Sequence, residues 1–114
     1  MQALSNQEFI VFHIPARLQQ ERGSIEGRLR VTNHRILFDP DANDSNRVTM
    51  VAIDIQIRSL SGITKRNTYL ICPNGILLTL HTGESYLFVI WKRDRLIGYL
   101  YRRIREMKRQ TAQQ

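Results

Sequence analysis

The chain has 114 residues, 42% of them apolar and 24% charged, with a formal net charge of +7. That length is one ordinary domain, the composition is that of a globular protein and not a disordered one, and no apolar run reaches the roughly 18 residues a spanning helix needs. The start, Met-Gln-Ala-Leu-Ser-Asn-Gln-Glu, lacks a basic leader followed by an apolar run, so no signal peptide is expected. A single cysteine, Cys72, excludes an intrachain disulfide and fits a reducing, cytoplasmic setting.

In chain order, Glu8 to Ile14 is β-branched and aromatic and ends at Pro15, which predicts a strand. Ala16 to Gly23 is polar and reads as a loop or short turn. From Ser24 the pattern alternates: Ile25, Gly27, Leu29 and Val31 fall on one face, Glu26, Arg28, Arg30 and Thr32 on the other, the period of a half-buried strand. Asn33-His34 supplies a tight turn through the tolerance of Asn for positive φ, and Arg35 to Phe38 returns as a third strand. Residues 39–46 form a polar loop. Val48 to Ile57 is β-rich with Asp54 interrupting it, Leu60 to Arg66 carries a weaker strand pattern, and Thr68 to Cys72 is apolar and aromatic. Pro73-Asn74-Gly75 reads as a turn. Ile76 to Leu80 and Ser85 to Ile90 flank His81-Thr-Gly-Glu84 and predict a hairpin. Six or seven strands with short links argue for an antiparallel sandwich or barrel.

The period then changes. Leu96, Ile97, Leu100, Ile104 and Met107 recur at helical spacing within an arc of about 100°. Arg95, Arg102, Arg105 and Arg109 fall on the opposite side. Asp94 suits an N-cap or first turn. Gly98 weakens the helix by about 1 kcal/mol relative to Ala, and close approach to the sheet would give it a reason. Residues 1–110 are expected to form one domain, with 111–114 a frayed tail. Residues 1–90 hold 9 basic and 8 acidic side chains, and residues 91–114 hold 8 basic and 2 acidic, so the excess charge lies in the last segment. That asymmetry points to an acidic partner or to a solvated helix.

Catalytic signals are missing. His13, His34 and His81 sit on different elements at no metal-ligand spacing. Cys72 has no CxxC partner and reads as a small core residue. No phosphate-loop motif is present. Asp39, Asp41 and Asp44 lack the Gly and Glu of a calcium loop and read as solvated turn formers. No enzyme activity, catalytic residue, metal or cofactor is expected.

The stretch Gly27-Arg-Leu-Arg-Val-Thr-Asn-His-Arg-Ile-Leu-Phe38 resembles the GRAM domain signature, a strand G-x-L-x-V-T-N turning into a second strand x-R-[ILV]-x-F. Val48 to Ile57, at the place of the family's strand that leads into an isoleucine-rich stretch, the hairpin Leu77 to Phe88, and Arg93-Asp94-Arg95 before a striped helix are also similar to that family. The resemblance covers residues 8–109. It implies the pleckstrin-homology superfold: mostly β, a bent antiparallel barrel of about seven strands capped by one C-terminal helix. It implies a binding module for anionic membrane lipid, such as a phosphoinositide, or for a protein; the related GLUE domains bind phosphoinositides and ubiquitin. Lipid-binding members place cations in the first hairpin. The matching positions here are Arg17, Arg22, Arg28 and Arg30, with Lys65 and Arg66 from a later loop joining them. This chain departs from the pattern in carrying Arg17 for lysine and in interspersing Glu21 and Glu26. Guanidinium groups suit phosphate through bidentate donation, and Arg95, Arg102, Arg105 and Arg109 add a diffuse attraction. The expectation is a cytoplasmic, peripherally membrane-bound module; the alternative is a purely protein-binding adaptor, ubiquitin-directed or self-associating. Nucleic acid ranks third, since no aromatic platform motif is present. The oligomeric state stays open.

Overall fold

The structure is a computed structural model that describes residues 3–21, 23–41, 52–68 and 72–112. Seven strands, β1 (Ile10–Gln20), β2 (Gly23–Thr32), β3 (Arg35–Pro40), β4 (Ile53–Gln56), β5 (Leu60–Thr68), β6 (Cys72–Leu80) and β7 (Ser85–Ile90), precede one helix, α1 (Arg93–Ala112). They form a single antiparallel sheet in the order β4-β3-β2-β1-β7-β6-β5. The expected mostly β fold with a closing helix is therefore the one observed. A 3-10 turn at Ile57–Ser59 carries the chain between the two edge strands, β4 and β5.

Three segments depart from their sequence pattern. Ala16 to Gln20 is not a loop: β1 continues through Pro15, because the ladder with β7 begins at Ala16 and leaves the proline's missing N–H without a partner to lose on that side. Pro73-Asn74-Gly75 is not a turn but the first part of β6. A Cβ on Gly75 would lie 2.7 Å from the Arg66 carbonyl oxygen, so glycine here permits strand contact with β5 instead of reversing the chain. Ile57 leaves the strand pattern for the 3-10 turn. Residues 42–51 and 69–71, Arg22 and the side chain of Cys72, for which the sequence also carries expectations, lie outside the described residues.

The two-residue link Asn33-His34 is observed, by a different mechanism. Neither residue has positive φ. The Thr32 hydroxyl instead accepts from the backbone N–H groups of His34 and Arg35 at 3.1 and 2.9 Å, a side-chain-built turn. The Asn33 amide bridges backward to Phe9 and Gln7. Gly27, within the motif, is required by close approach, since a Cβ there would meet the Asp39 carbonyl and sit 2.7 Å from Phe38 Cζ.

Inward-facing side chains of the sheet, among them Leu18, Leu29, Val31, Phe38, Leu78 and Phe88, pack with Leu96, Ile97 and Leu100 of α1 in one core. Ile104 and Met107 pack at its margin, so the helical stripe is the covering face. Gly98 is different: a Cβ there meets nothing within 4 Å, so it faces open space and not the sheet. The helix includes Thr111 and Ala112, two of the four residues assigned to a tail.

Leu100 and Gly98 therefore respond oppositely to alanine. Leu100→Ala, at a fully buried site, should cost about 2–5 kcal/mol, while Gly98→Ala should add up to about 1 kcal/mol through helix propensity. Chemical denaturation reads both; an unchanged midpoint for Leu100→Ala would show that α1 does not close the core.

Candidate functional site

Cations gather at three places. The first is the hairpin of β1 and β2. Register places Arg17 opposite Glu26 and Arg28 opposite Pro15, on the outer face. Arg17 Nε lies 2.7 Å from Glu26 Oε1. Arg30 shares that face by period two, yet its side chain is only 3% exposed and its Nε donates to Asp39 Oδ2 at 2.9 Å. Asp39 is therefore an internal partner on β3 and not a solvated turn former. A guanidinium so enclosed presents nothing to an external phosphate. Arg28 is exposed and forms no ion pair among the described residues.

The second place is the corner where β7 passes into α1. Lys92 adopts φ 60°, a left-handed conformation uncommon for a side chain of its size. It turns the chain so that the first helical residues return beside β5. Arg93 Nη1 donates to the carbonyl oxygens of Arg66 at 2.9 Å and Gly75 at 3.2 Å. Lys65 Nζ lies 3.0 Å from Asp94 Oδ1. The hydrogen bond from Lys65 holds the Asp94 carboxyl below its ordinary value. Lys92, Arg93, Asp94 and Arg95 line an open depression of about 320 Å³. Lys65 and Arg66 thus lie on a strand and not a loop, and they join the helix start instead of the first hairpin. Trp91, at the same corner, is 76% exposed.

The third is the outer side of α1. Arg95, Arg102, Arg105 and Arg109 are all exposed. Arg102 stacks over the Tyr99 ring at 5.6 Å. Arg103 does something else: its Nε donates to the Asn33 carbonyl at 2.6 Å and ties the helix to the β2–β3 link.

A fourth polar cluster is structural. The Glu8 carboxylate receives Arg35 in bidentate fashion at 2.7 and 2.9 Å, with the Thr32 hydroxyl and the Ser5 N–H also donating. Arg35 further reaches Asp54 and the Ala3 carbonyl. In the neighbouring depression, about 560 Å³ in volume, Glu8 and Arg35 satisfy one another, and Arg58 stands exposed at its lining. Arg35 holds the Glu8 carboxyl down to about 2. Sequence reasoning missed this clasp, and it missed Trp91, Lys92 and Arg93. Trp91 left a signal: it continues, two residues past Val89, the outward parity of β7. Among the described residues no group of three or more His, Cys, Asp or Glu could hold a metal ion.

Known proteins agree on the architecture. The sequence pattern of the GRAM domain family matches residues 1–109. No curated protein matches the chain. Among solved structures, the C-terminal domain of an unknown protein from Leishmania infantum superposes with a TM-score of 0.69 at 15% identity, covering 85% of this chain and 84% of that one. The Vps36 N-terminal PH domain superposes with a TM-score of 0.66 at 16% identity, covering 92% and 85%. Among the described residues no helix is long and apolar enough to cross a membrane.

The clasp gives a pH prediction with a definite sign. Because the folded carboxyl of Glu8 is depressed from 4.5 to about 2, its stabilising effect is complete above about pH 4.5 and is lost as the pH falls towards 2. Glu8→Gln should cost about 2 kcal/mol at neutral pH and progressively less below pH 4.5. Parallel urea curves for parent and variant at pH 7 and pH 2.5 check it; an equal gap at both would contradict the ionised clasp.

Proposed function

As the chain belongs to the GRAM domain family, we propose that it is a non-catalytic module that attaches to anionic membrane surfaces through the corner between β7 and α1. One observation carries this reading. The corner gathers Lys65, Arg66, Lys92, Arg93 and Arg95 against a single carboxylate, Asp94, which Lys65 already occupies. Four of these cations are exposed. Arg66, Lys92 and Arg95 each contribute about 1 kcal/mol near an anionic bilayer, Lys65 less because of its pair with Asp94, enough together for weak attachment that salt screens. Arg95 also opens the arginine stripe of α1, which extends the positive surface about 21 Å along the helix to Arg109.

The first hairpin is a smaller contributor in this account. Arg28 and Arg17 face outward and can approach a headgroup, but Arg17 is shared with Glu26 and Arg30 with Asp39. A headgroup-selective phosphoinositide pocket would need at least one of those ion pairs to open. The protein-adaptor reading draws on the place of β5 at the edge of the sheet, where an added strand would pair, although Arg93 and the Tyr101 hydroxyl already take its Arg66 and Ile63 carbonyls.

Vesicle co-sedimentation separates the readings. The parent should bind phosphatidylserine-containing vesicles at low salt and release them at high salt, with no binding to pure phosphatidylcholine. Changing Lys65, Arg66, Lys92 and Arg95 together to Gln should weaken binding about 100-fold or more. Arg17→Gln with Arg28→Gln should weaken it by less than about tenfold. Failure of the parent to bind anionic vesicles at low salt would remove the membrane reading and leave a protein partner at the β5 edge.

A further inference from the structure

Alternation along a strand puts every second side chain on the outer face of the sheet, where an antiparallel domain of this kind is ordinarily polar. β7 departs from that rule. Its inner positions are Tyr86, Phe88 and Ile90. Its outer positions are Leu87 and Val89, both half-buried. Trp91 follows two residues later, 76% exposed. Leu77 of β6 lies directly opposite Leu87 and widens the strip to two strands.

The strands on either side supply charge. Arg17 of β1 pairs in register with Val89, and Arg66 of β5 pairs with Gly75, which itself faces Val89. One row across the sheet therefore reads Arg17, Val89, Gly75, Arg66, with an arginine at each end. Lys92 and Arg95 close the strip at its tryptophan end. The carboxylates of this region, Glu26 and Asp94, are already held by Arg17 and Lys65. The remaining acids near β7, Glu21 and Glu84, stand at the hairpin tips at the other end of the strand. The strip thus has an apolar middle, a cationic rim and a polarity from acidic tip to cationic corner.

We propose that this outer face of β6 and β7, ending in Trp91, is the surface that seats on the lipid bilayer, with the indole in the headgroup region and the surrounding cations on anionic lipid. This rests on the membrane reading and deepens it, by adding an apolar contact to an electrostatic one. An indole is suited to that depth, being apolar in body with one N–H to satisfy. Arginine and lysine stems lie along apolar surface while their heads stay at the phosphate level. The corner is also preorganised: Arg93 fastens it to the carbonyls of β5 and β6, so little order is lost on docking. Charge complementarity selects the occupant, because a face with cations on three sides meets an anionic sheet of headgroups more favourably than a second copy of itself.

The chain has one tryptophan, so its emission reports on this face directly. The full chain is titrated with phosphatidylcholine vesicles with and without phosphatidylserine, with binding measured by sedimentation and depth by lipids brominated at successive acyl positions. The emission should shift to the blue with anionic vesicles only, and the shallowest bromines should quench most. Trp91→Ala, with an unchanged circular dichroism spectrum, should lower the partition coefficient about tenfold and leave a residue of binding that salt abolishes. Sedimentation with vesicles but an unchanged emission would overturn this face while leaving the membrane reading intact. Absence of sedimentation at low salt would overturn both. A blue shift that grows with protein concentration and needs no vesicles would assign the face to a second copy of the chain instead.

Discussion

A bent sheet with one apolar face cannot stand alone in water; something must cover that face. Here the cover is the stripe Leu96, Ile97 and Leu100 of α1, each buried against the inner side chains of the strands. Full burial of such a side chain is worth about 1.5–3 kcal/mol, so three of them together rival the net stability of a small domain. The rest of the molecule is arranged to put that stripe in place. Arg103 fixes one side of the helix to the Asn33 carbonyl, the Tyr99 hydroxyl donates to the Thr32 carbonyl, and Arg93 fixes its start to β5 and β6.

Docking the apolar stripe has consequences for the other face. A helix whose inner residues are committed to the core must turn Arg95, Arg102, Arg105 and Arg109 to solvent. Because α1 begins directly after β7, the chain must also reverse within Trp91 and Lys92, and the positive φ of Lys92 achieves that reversal. The same geometry leaves the tryptophan outside the core and brings the first helical cations beside Lys65 and Arg66. The charged corner is therefore a by-product of closing the barrel, and the proposed membrane contact makes use of it.

Much of this was legible in the sequence because period is a local property. The alternation of Ile25, Gly27, Leu29 and Val31 and the helical recurrence from Leu96 to Met107 both report burial directly, and both predict the observed elements. The hairpin at His81 to Glu84 is equally local, with Gly83 at φ 96°. The failures share a different cause. Pro15 and Pro73-Asn74-Gly75 carry the composition of turns, yet lie where a neighbouring strand has stopped or where two backbones crowd together. Only the tertiary pairing reveals that. Arg30 looked as available as Arg28, because period two fixes the face of a side chain but says nothing of a carboxylate on the next strand. Sequence alone leaves Lys65 and Arg66 free to join the cations of the first hairpin, whereas long-range register sets them beside the helix start. The Glu8–Arg35 clasp spans 27 residues of sequence and has no local signature.

The proposed membrane contact lies on β6, β7 and the start of α1, with the first hairpin subordinate to it. Hydrogen–deuterium exchange with and without anionic vesicles tests that division most directly, since it reads every segment at once without substitution. Added vesicles should protect the backbone amides of residues 87–95, 75–77 and 64–66, with a smaller effect at Arg17, which pairs with Val89, while residues 23–30 should exchange at nearly their free rate. Protection concentrated in residues 17–30, with residues 87–95 unchanged, would contradict it and return the binding site to the first hairpin.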